Sequence, residues 1–469
     1  MKITTVKSSW LATTDSRLDT SPYVSGAIEI REKLRQLKLR KDRLENLTTG
    51  PEGGIFNGPM FSRIYVDSKK YGVPFMGSSA ILRSECKNLP LLSKAIAHSS
   101  RLSHLEVKPG MTLISCSGTI GKTSYARESM SGAWASQHVM KIVADPCKVS
   151  SGYLYAFLSC KFGVPLITAS TYGSIIQSIA PHQIAPLEVP RLGEKRETEI
   201  HQLVEKSAKL LSQYAAEIQA ATEFFFDSVG LKDIPPGEWH DKREQDLGFT
   251  VKFPNPYSFR ALNFIPRARE LWQSLEARKH KELGSICAGG LLTRGSRFKR
   301  IASDEEFGSL MIGQKELFTL KPVGQWLARS SLPDDAFARE GTITVAARGT
   351  LGDSELYCRS EFVSGPWTKF AFTEDILKVA ANPDVMPRGC LYAFFRSETA
   401  FHILRSISSG SKLQDNHYYF LPRIPIPTPS RKDMESIDLL VVDAYKKRHE
   451  AVALEDRAIA LVEAALDSA

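Results

Sequence analysis

Two stretches of the chain carry apolar residues at the spacing of paired helices. Between 193 and 229, Val204, Leu211, Ile218 and Phe225 fall seven apart, with Ile200, Ser207, Tyr214 and Ala221 as a companion set. Between 430 and 469, Ile437, Val441, Ala444, Val452, Ile459, Val462 and Leu466 keep a similar spacing, broken by Arg448 and Glu455. A repeat near 3.5 residues is the pattern of helices that wind around one another. Neither stretch holds an interior proline or glycine. Each is therefore predicted as one unbroken helix of roughly 50 Å, at about 1.5 Å per residue. A helix docked only on its own domain would also show a stripe. The two stretches occupy equivalent places in the chain, so they are read as packing on each other as a spacer.

That equivalence comes from an internal repeat. SPY at Ser21 returns as NPY at Asn255, REKLRQLKLRK from Arg31 as RELWQSLEARK from Arg269, and Gly53-Gly54 as Gly289-Gly290. FSRI from Phe61 returns as FKRI from Phe298, and YGVPFMGSSAIL from Tyr71 as FGSLMIGQKELF from Phe307. The series continues with GTIG ending at Gly121 and GTLG ending at Gly352, LYAF from Leu154 and Leu391, and YGSIIQ and SGSKLQ from Tyr172 and Ser409. All offsets lie between 231 and 239 residues, in one order. So long a period means a duplicated domain, not a solenoid.

Within each copy, MTLIS, HVMKIV, TITVAA and KFAF read as strands, with helical runs near Ile28 to Leu47 and Ala268 to Leu283. Each copy closes with a proline-rich run, from Ile184 or Leu421, ahead of its long helix. The class is α+β. The expected boundaries are a first domain at 1–190, a helix at 193–229, a proline- and charge-rich linker at 230–247, a second domain at 248–428 and a second helix at 430–469.

Composition narrows the partners. The 61 basic and 52 acidic residues leave a net charge of +9, which suits a polyanion. The seven cysteines are scattered without a C-x-x-C pair, which argues against a disulfide framework or structural zinc and for a reducing compartment. The N-terminus lacks an apolar signal core, and no run of about 18 apolar residues offers a membrane span. A cytoplasmic location and no membrane partner are expected.

SCSGTIGKTS, from Ser115, ends like a phosphate-binding loop and raises the alternative of a nucleotide-using enzyme. The motif needs a glycine where Cys116 stands and a helix afterwards, yet TSYARESMSGAWASQHVMKIV reads as strand, turn, strand. The second copy has Asp353 in place of Lys122, and a carboxylate there would repel phosphate. What the copies share is G-T-[IL]-G between apolar strands, read as a tight glycine turn. NPY lacks one proline of a methyltransferase loop, no E-x-K follows Pro333-Asp334 or Pro383-Asp384, and His138 and His182 have no obvious catalytic partners. No catalytic or metal residues are assigned.

The ordered double series of G-T-[IL]-G, a strand such as ASQHVMKIV, L-Y-A-F, G-S-x-x-Q, a proline-rich run and a long helix resembles the specificity subunits of type I restriction-modification enzymes. The match covers nearly the whole chain. The resemblance implies two target-recognition domains, each gripping half of a split, asymmetric site on double-stranded DNA. It implies long helices packed as an antiparallel coiled coil that sets the spacing. It also implies a non-catalytic subunit that recruits two copies of a DNA adenine methyltransferase subunit, joined by a motor-nuclease subunit for cleavage. No cofactor is expected on this chain, with S-adenosylmethionine and ATP on the partners. The residues placed to touch DNA are Lys122, Arg127, Tyr172, Ser174 and Gln177 in the first copy. In the second they are Arg294, Arg297, Lys299, Arg300, Arg348, Ser411, Lys412 and Gln414. Arginine and lysine suit phosphate or guanine, and glutamine suits adenine.

Overall fold

The computed structural model describes residues 5–469 apart from 9, 11–22, 24–25, 119, 170–177, 236–237, 252–256 and 353–354. The chain divides into two compact units, Met1–Ser212 with Glu450–Ala469, and Gln213–His449. Each unit therefore takes one segment of each long helix, where the sequence suggests separate spacers. Helices of six residues or more and strands are numbered below in chain order.

In the first unit, α1 (Ala27–Gln36) leads to β1 (Lys41–Arg43), β2 (Ile55–Phe56), β3 (Tyr65–Val66), β4 (Gly72–Met76) and β5 (Leu91–Ser93). Then come β6 (Thr112–Ser115), β7 (Thr123–Tyr125), β8 (Trp134–Ala135), β9 (Val139–Ile142), α2 (Ser151–Ser159), α3 (Gly163–Thr168) and β10 (Glu188–Pro190). The unit also holds the first part of α4 (Glu194–Ser228). One four-stranded sheet runs β2-β9-β6-β7 and another β3-β5-β4-β8, while β1 pairs β10.

The second unit repeats this plan. It contains the rest of α4, then α5 (Pro266–Glu276), β11 (His280–Glu282), β12 (Leu291–Arg294), β13 (Gly308–Ile312) and β14 (Gln325–Ala328). These are followed by β15 (Ile343–Ala346), β16 (Arg348–Gly349), β17 (Ser360–Phe362), β18 (Ala371–Phe372), β19 (Ile376–Ala380), α6 (Arg388–Phe395) and α7 (Glu398–Ser406). Last come β20 (Ser408–Ser409), β21 (Gln414–Asn416), β22 (Pro425–Pro427) and α8 (Arg431–Asp467). Its sheets run β12-β19-β15-β17 and β14-β13-β18, with β11 pairing β22. The registers agree too: Thr112 faces Tyr125 and Ile142, as Ile343 faces Phe362 and Val379. An additional sheet, β16-β21-β20, belongs to this unit.

Both long helices are unbroken, as their composition predicts. On α4 the seam of Ile200, Val204, Ser207, Leu211, Tyr214, Ile218, Ala221 and Phe225 is buried throughout. On α8 the seam runs Ile437, Val441, Ala444, Arg448, Ala451, Glu455, Ala458, Val462 and Leu466, all buried. The two charges that interrupt the stripe are thus members of it, and Ala451 and Ala458 replace Val452 and Ile459, which are partly exposed. In the first unit Ser207 donates to the carbonyl of Ala451 at 2.8 Å and Lys206 pairs with Glu450 at 2.7 Å. In the second, Tyr214 meets Tyr445 edge-on at 5.3 Å and Lys447 pairs with Glu217 at 2.5 Å. Further along, Ile200 and Val204 share a core with Ala458, Val462 and Leu466 in the first unit, and Ala221 and Phe225 with Met434 and Ile437 in the second, so within each unit the two segments run antiparallel.

The repeated LYAF segment docks on this pair. Gly152 of α2 donates its backbone N–H to His201 Nδ1 at 3.2 Å, and Gly389 of α6 donates to Asp438 Oδ1 at 2.7 Å. A Cβ on either glycine would come 2.8 Å from that same side-chain atom. Tyr155 of α2 is hydrogen-bonded to Glu455, and the Tyr392 hydroxyl of α6 lies 2.9 Å from that of Tyr445.

The helical runs are shorter than the periodicity suggests, because residues 41–43 and 280–282 pair as strands with the proline-rich runs. The 230–247 stretch is packed onto the second unit. Asp233 accepts from Glu398 N at 3.1 Å and Thr399 N at 2.8 Å, capping α7, and Trp239 stacks on His402 with centroids 4.1 Å apart.

Arg448 is 1% exposed and pairs with Glu361 of β17 at 3.3 Å, among Trp367, Tyr445 and Tyr214. Burial alone would depress this guanidinium, but Glu361 and the tyrosines hold it charged, with a net upward shift. Tyr445 donates to the same carboxylate. Removing one member of a buried pair strands the other. Arg448→Met and Glu361→Gln are each expected to lower the stability of the second unit by about 3–5 kcal/mol in urea unfolding. The double variant is expected to recover much of that loss, and strictly additive losses would show that the pair is uncoupled.

Candidate nucleic-acid interface

In the second unit the basic residues predicted from far-apart stretches meet at one edge of the sheets. Arg294 ends β12, and its guanidinium donates to the carbonyl of Ala347 at 2.9 Å and to Asp415 at 2.8 Å. Arg348 opens β16, which pairs with β21 so that Arg348 faces Asp415. Its side chain pairs with Asp375 at 2.8 Å and lies 3.7 Å from Asp415. Arg294, Asp415, Arg348 and Asp375 thus alternate in sign. Two cations on two carboxylates leave no excess charge there.

The excess lies further out. Arg297 and Arg300 flank Glu374 at 4.0 and 3.4 Å, and the Arg297 side chain is 79% exposed. Lys299, Ser411 and Lys412 are exposed as well. Gln414 is placed differently from the sequence expectation. It is 3% exposed, and its amide turns under the hairpin tip to donate to the carbonyl of Ser411. It shapes the tip and has no open face for a base.

In the first unit, Lys122 is exposed at the end of the glycine turn. Gly121 N donates to the carbonyl of Ser115 at 3.0 Å, and Ser115 N to that of Lys122 at 2.8 Å. Gly118 and Gly121 have φ of 79° and 78°, the left-handed region where glycine costs least. A strand, β7, follows at once, so no helix opens from the turn. The second copy departs from the tight-turn reading. Gly349 lies within β16, Gly349 and Gly352 are not left-handed, and a Cβ on Gly349 would lie 3.0 Å from Tyr357 Cβ.

Arg127 is corrected as well. It is 3% exposed and donates to the carbonyls of Arg83 at 3.0 Å and Ser84 at 2.7 Å, and to Ser129 Oγ at 3.1 Å. A guanidinium spent on buried carbonyls is not offered to a ligand. Tyr172, Ser174 and Gln177 lie outside the described residues. The Ser117–Ser178 bridge stands where Arg348 faces Asp415 in the second copy.

Two features recur in both copies, the second of which escaped the sequence reading. The arginine shared by FSRI and FKRI sits alike in both copies: Arg63 donates to Gln137 Oε1 at 2.9 Å and Arg300 to Glu374 at 3.4 Å, each just ahead of β9 or β19. The second feature is a lysine buried at matching points of those strands. Lys141 donates to the carbonyl of Val139 at 3.1 Å, and burial pushes its amine down to about 7. Lys378 donates to the carbonyl of Asp335, and burial pushes it down to about 8 against the pull of Asp335. Asp335 in turn accepts from Ser296 N at 2.8 Å and Ser296 Oγ at 2.6 Å, which fixes the start of the 297–300 segment. A lysine inside two aligned apolar runs, VMKIV and ILKVA, is the signal that could have found this pair.

Among the described residues, no cluster of histidine, cysteine and carboxylate side chains could hold a metal ion, and no helix is long and apolar enough to cross a membrane. The geometry defines a class: a duplicated α+β chain with antiparallel long helices and cation-rich strand-end loops. Solved structures similar to it include the type I restriction-modification S subunit from M. genitalium, at 14% identity over 90% of this chain and 96% of that one, with a TM-score of 0.38. The HsdS subunit from Thermoanaerobacter tengcongensis is similar at 13% identity over 92% and 97%, with a TM-score of 0.28. A chain from a study of assembly and conformational transition of the type I R-M system is similar at 14% identity over 92% and 99%, with a TM-score of 0.27. No family model and no curated protein matches the chain.

Because the Lys141 amine is pushed down to about 7, the unfolded chain carries one more proton than the folded chain between that pH and the ordinary lysine range. Its contribution to stability therefore rises with pH through this window. Thermal unfolding of Lys141→Met is expected to be more stable than wild type at pH 7, by on the order of a few kcal/mol, with the gap narrowing toward pH 9.5. A constant gap would show that the amine does not titrate there.

Proposed function

We propose that this chain is the specificity subunit of a type I restriction-modification assembly. It binds double-stranded DNA, reads one half of a split, asymmetric site with each domain, and directs methyltransferase and restriction subunits to that site. The observation that carries this reading is the duplication itself. Two domains keep one strand order and register in their four-stranded sheets, while their strand-end loops differ in length and charge. Asp67-Ser68-Lys69-Lys70-Tyr71 stands where the second copy has Ser303-Asp304-Glu305-Glu306-Phe307, and Gln137 stands where it has Glu374. A repeated scaffold with altered loops suits two readings of the same kind of ligand with different outcomes.

DNA is a fitting ligand for the second domain. Exposed Arg297, Lys299 and Lys412 would meet phosphates and set the register, and a two-stranded hairpin is narrow enough for the major groove. The antiparallel helices would fix the distance between half-sites at about one turn of the duplex. The outward faces of the same helices would seat two copies of an adenine methyltransferase subunit, with a motor-nuclease subunit joining for cleavage. Methyl donor and ATP would belong to those partners, and the chain itself would act without catalysis in the cytoplasm.

Gel-shift titration of the full chain on a random duplex pool, with its methyltransferase partner present, tests this reading. Enrichment of a bipartite sequence is expected, and binding with no sequence preference would overturn it. Affinity should fall steeply with salt, and Arg297→Ala or Lys299→Ala should each flatten the log–log slope by about one while weakening all sequences alike.

A further inference from the structure

The hairpin formed by β20 and β21 is anchored below and open above. Strand β21 is paired on both sides, with β20 and β16. Arg260 donates to the carbonyl of Gly410 at 2.5 Å, and Asn263 to the carbonyls of Ser406 at 2.6 Å and Ser408 at 3.0 Å. Gly410 has φ 93°, and a Cβ there would lie 2.5 Å from the carbonyl oxygen of Leu413. With Gln414 tucked beneath, the exposed side chains at the tip are Ser411, Lys412 and Leu413.

Leu413 is 60% exposed. A single exposed leucine is ordinary on a protein surface. This one stands on a backbone held by side chains from α5's approach and from below the hairpin, and it adjoins an ammonium group on the face assigned to DNA. The first copy has Ile176 at the corresponding place in YGSIIQ, so an apolar residue recurs there while its neighbour changes from lysine to isoleucine.

Resting on the proposal that this face meets duplex DNA, we infer that Leu413 is a specificity-determining residue that reads a thymine through its 5-methyl group. A two-stranded β-ribbon enters the major groove, and the thymine methyl is the apolar feature that base edges display there. Lys412 would lie toward a phosphate on one side, and the Ser411 hydroxyl toward a neighbouring base edge. Leucine offers no hydrogen bond, so its discrimination comes only from the methyl it covers.

The test is a scan of the duplex selected by the full chain, replacing each thymine of the second half-site by uracil in turn. Loss of one buried methyl predicts about a three- to fivefold weaker complex for wild type at one position. Leu413→Ala should bind the thymine duplex about as weakly as wild type binds that uracil duplex, with no further loss on uracil and an unchanged salt slope. The inference is overturned if no uracil weakens wild type, or if Leu413→Ala loses as much as wild type at that position. If wild type selects no preferred duplex at all, the reading on which this rests fails, and the inference with it.

Discussion

Within each unit, the four-stranded sheet and the LYAF helix are built onto segments of the two long helices, which carry a 3.5-residue seam. A straight helix repeats at 3.6 residues, so only a strict four-three spacing of buried positions keeps one face against a partner over ten turns. α4 holds that spacing throughout and α8 until its last turn, even where α8 places Arg448 and Glu455 in it. A buried charge is tolerated only when paired and hydrogen-bonded. Arg448 finds Glu361 on β17, and Glu455 finds Tyr155 on α2. The apparent flaws in the stripe are therefore the points at which a helix is keyed to the domain beside it.

The LYAF helices complete the attachment. Gly152 and Gly389 approach the long helices so closely that no side chain fits, and each spends its backbone N–H on a helix side chain. The aromatic pairs behind them repeat as well: Tyr125 on Tyr155 at 5.3 Å, and Phe362 on Tyr392 at 5.2 Å. With the base of each domain so constrained, variation is cheapest at the far ends of the strands, where side chains face water. The two copies differ there in charge and loop length while the order of the four-stranded sheet β2-β9-β6-β7 is kept as β12-β19-β15-β17.

The electrostatics of the second unit follow from this division. Arginines that the sequence presents as free cations are partly engaged by Asp375, Asp415 and Glu374, which arrive from other loops. Such pairs hold long side chains in one orientation and contribute little stability when exposed. Their effect is positional. They leave Arg297, Lys299 and Lys412 as the outer positive groups around a hairpin whose backbone is tied down.

The sequence alone determined the duplication, the lengths of both long helices and the strand-bearing runs, because these are written in local period and composition. The offsets between copies also argue against a phosphate loop at GTIG, since a second copy that lacks the lysine is a comparison internal to the chain. Tertiary structure decided which polar side chains turn inward. Arg127 and Gln414 read as DNA contacts and Arg448 as a break in the stripe, yet each is buried, because burial of a charged or amide group depends on partners far away in sequence. It also decided that Gly349 opens GTLG as strand and not as a left-handed turn, since β16 is held by β21 more than sixty residues later. Leu413 is the converse case: an apolar residue left exposed at the hairpin tip while Gln414 beside it is buried beneath.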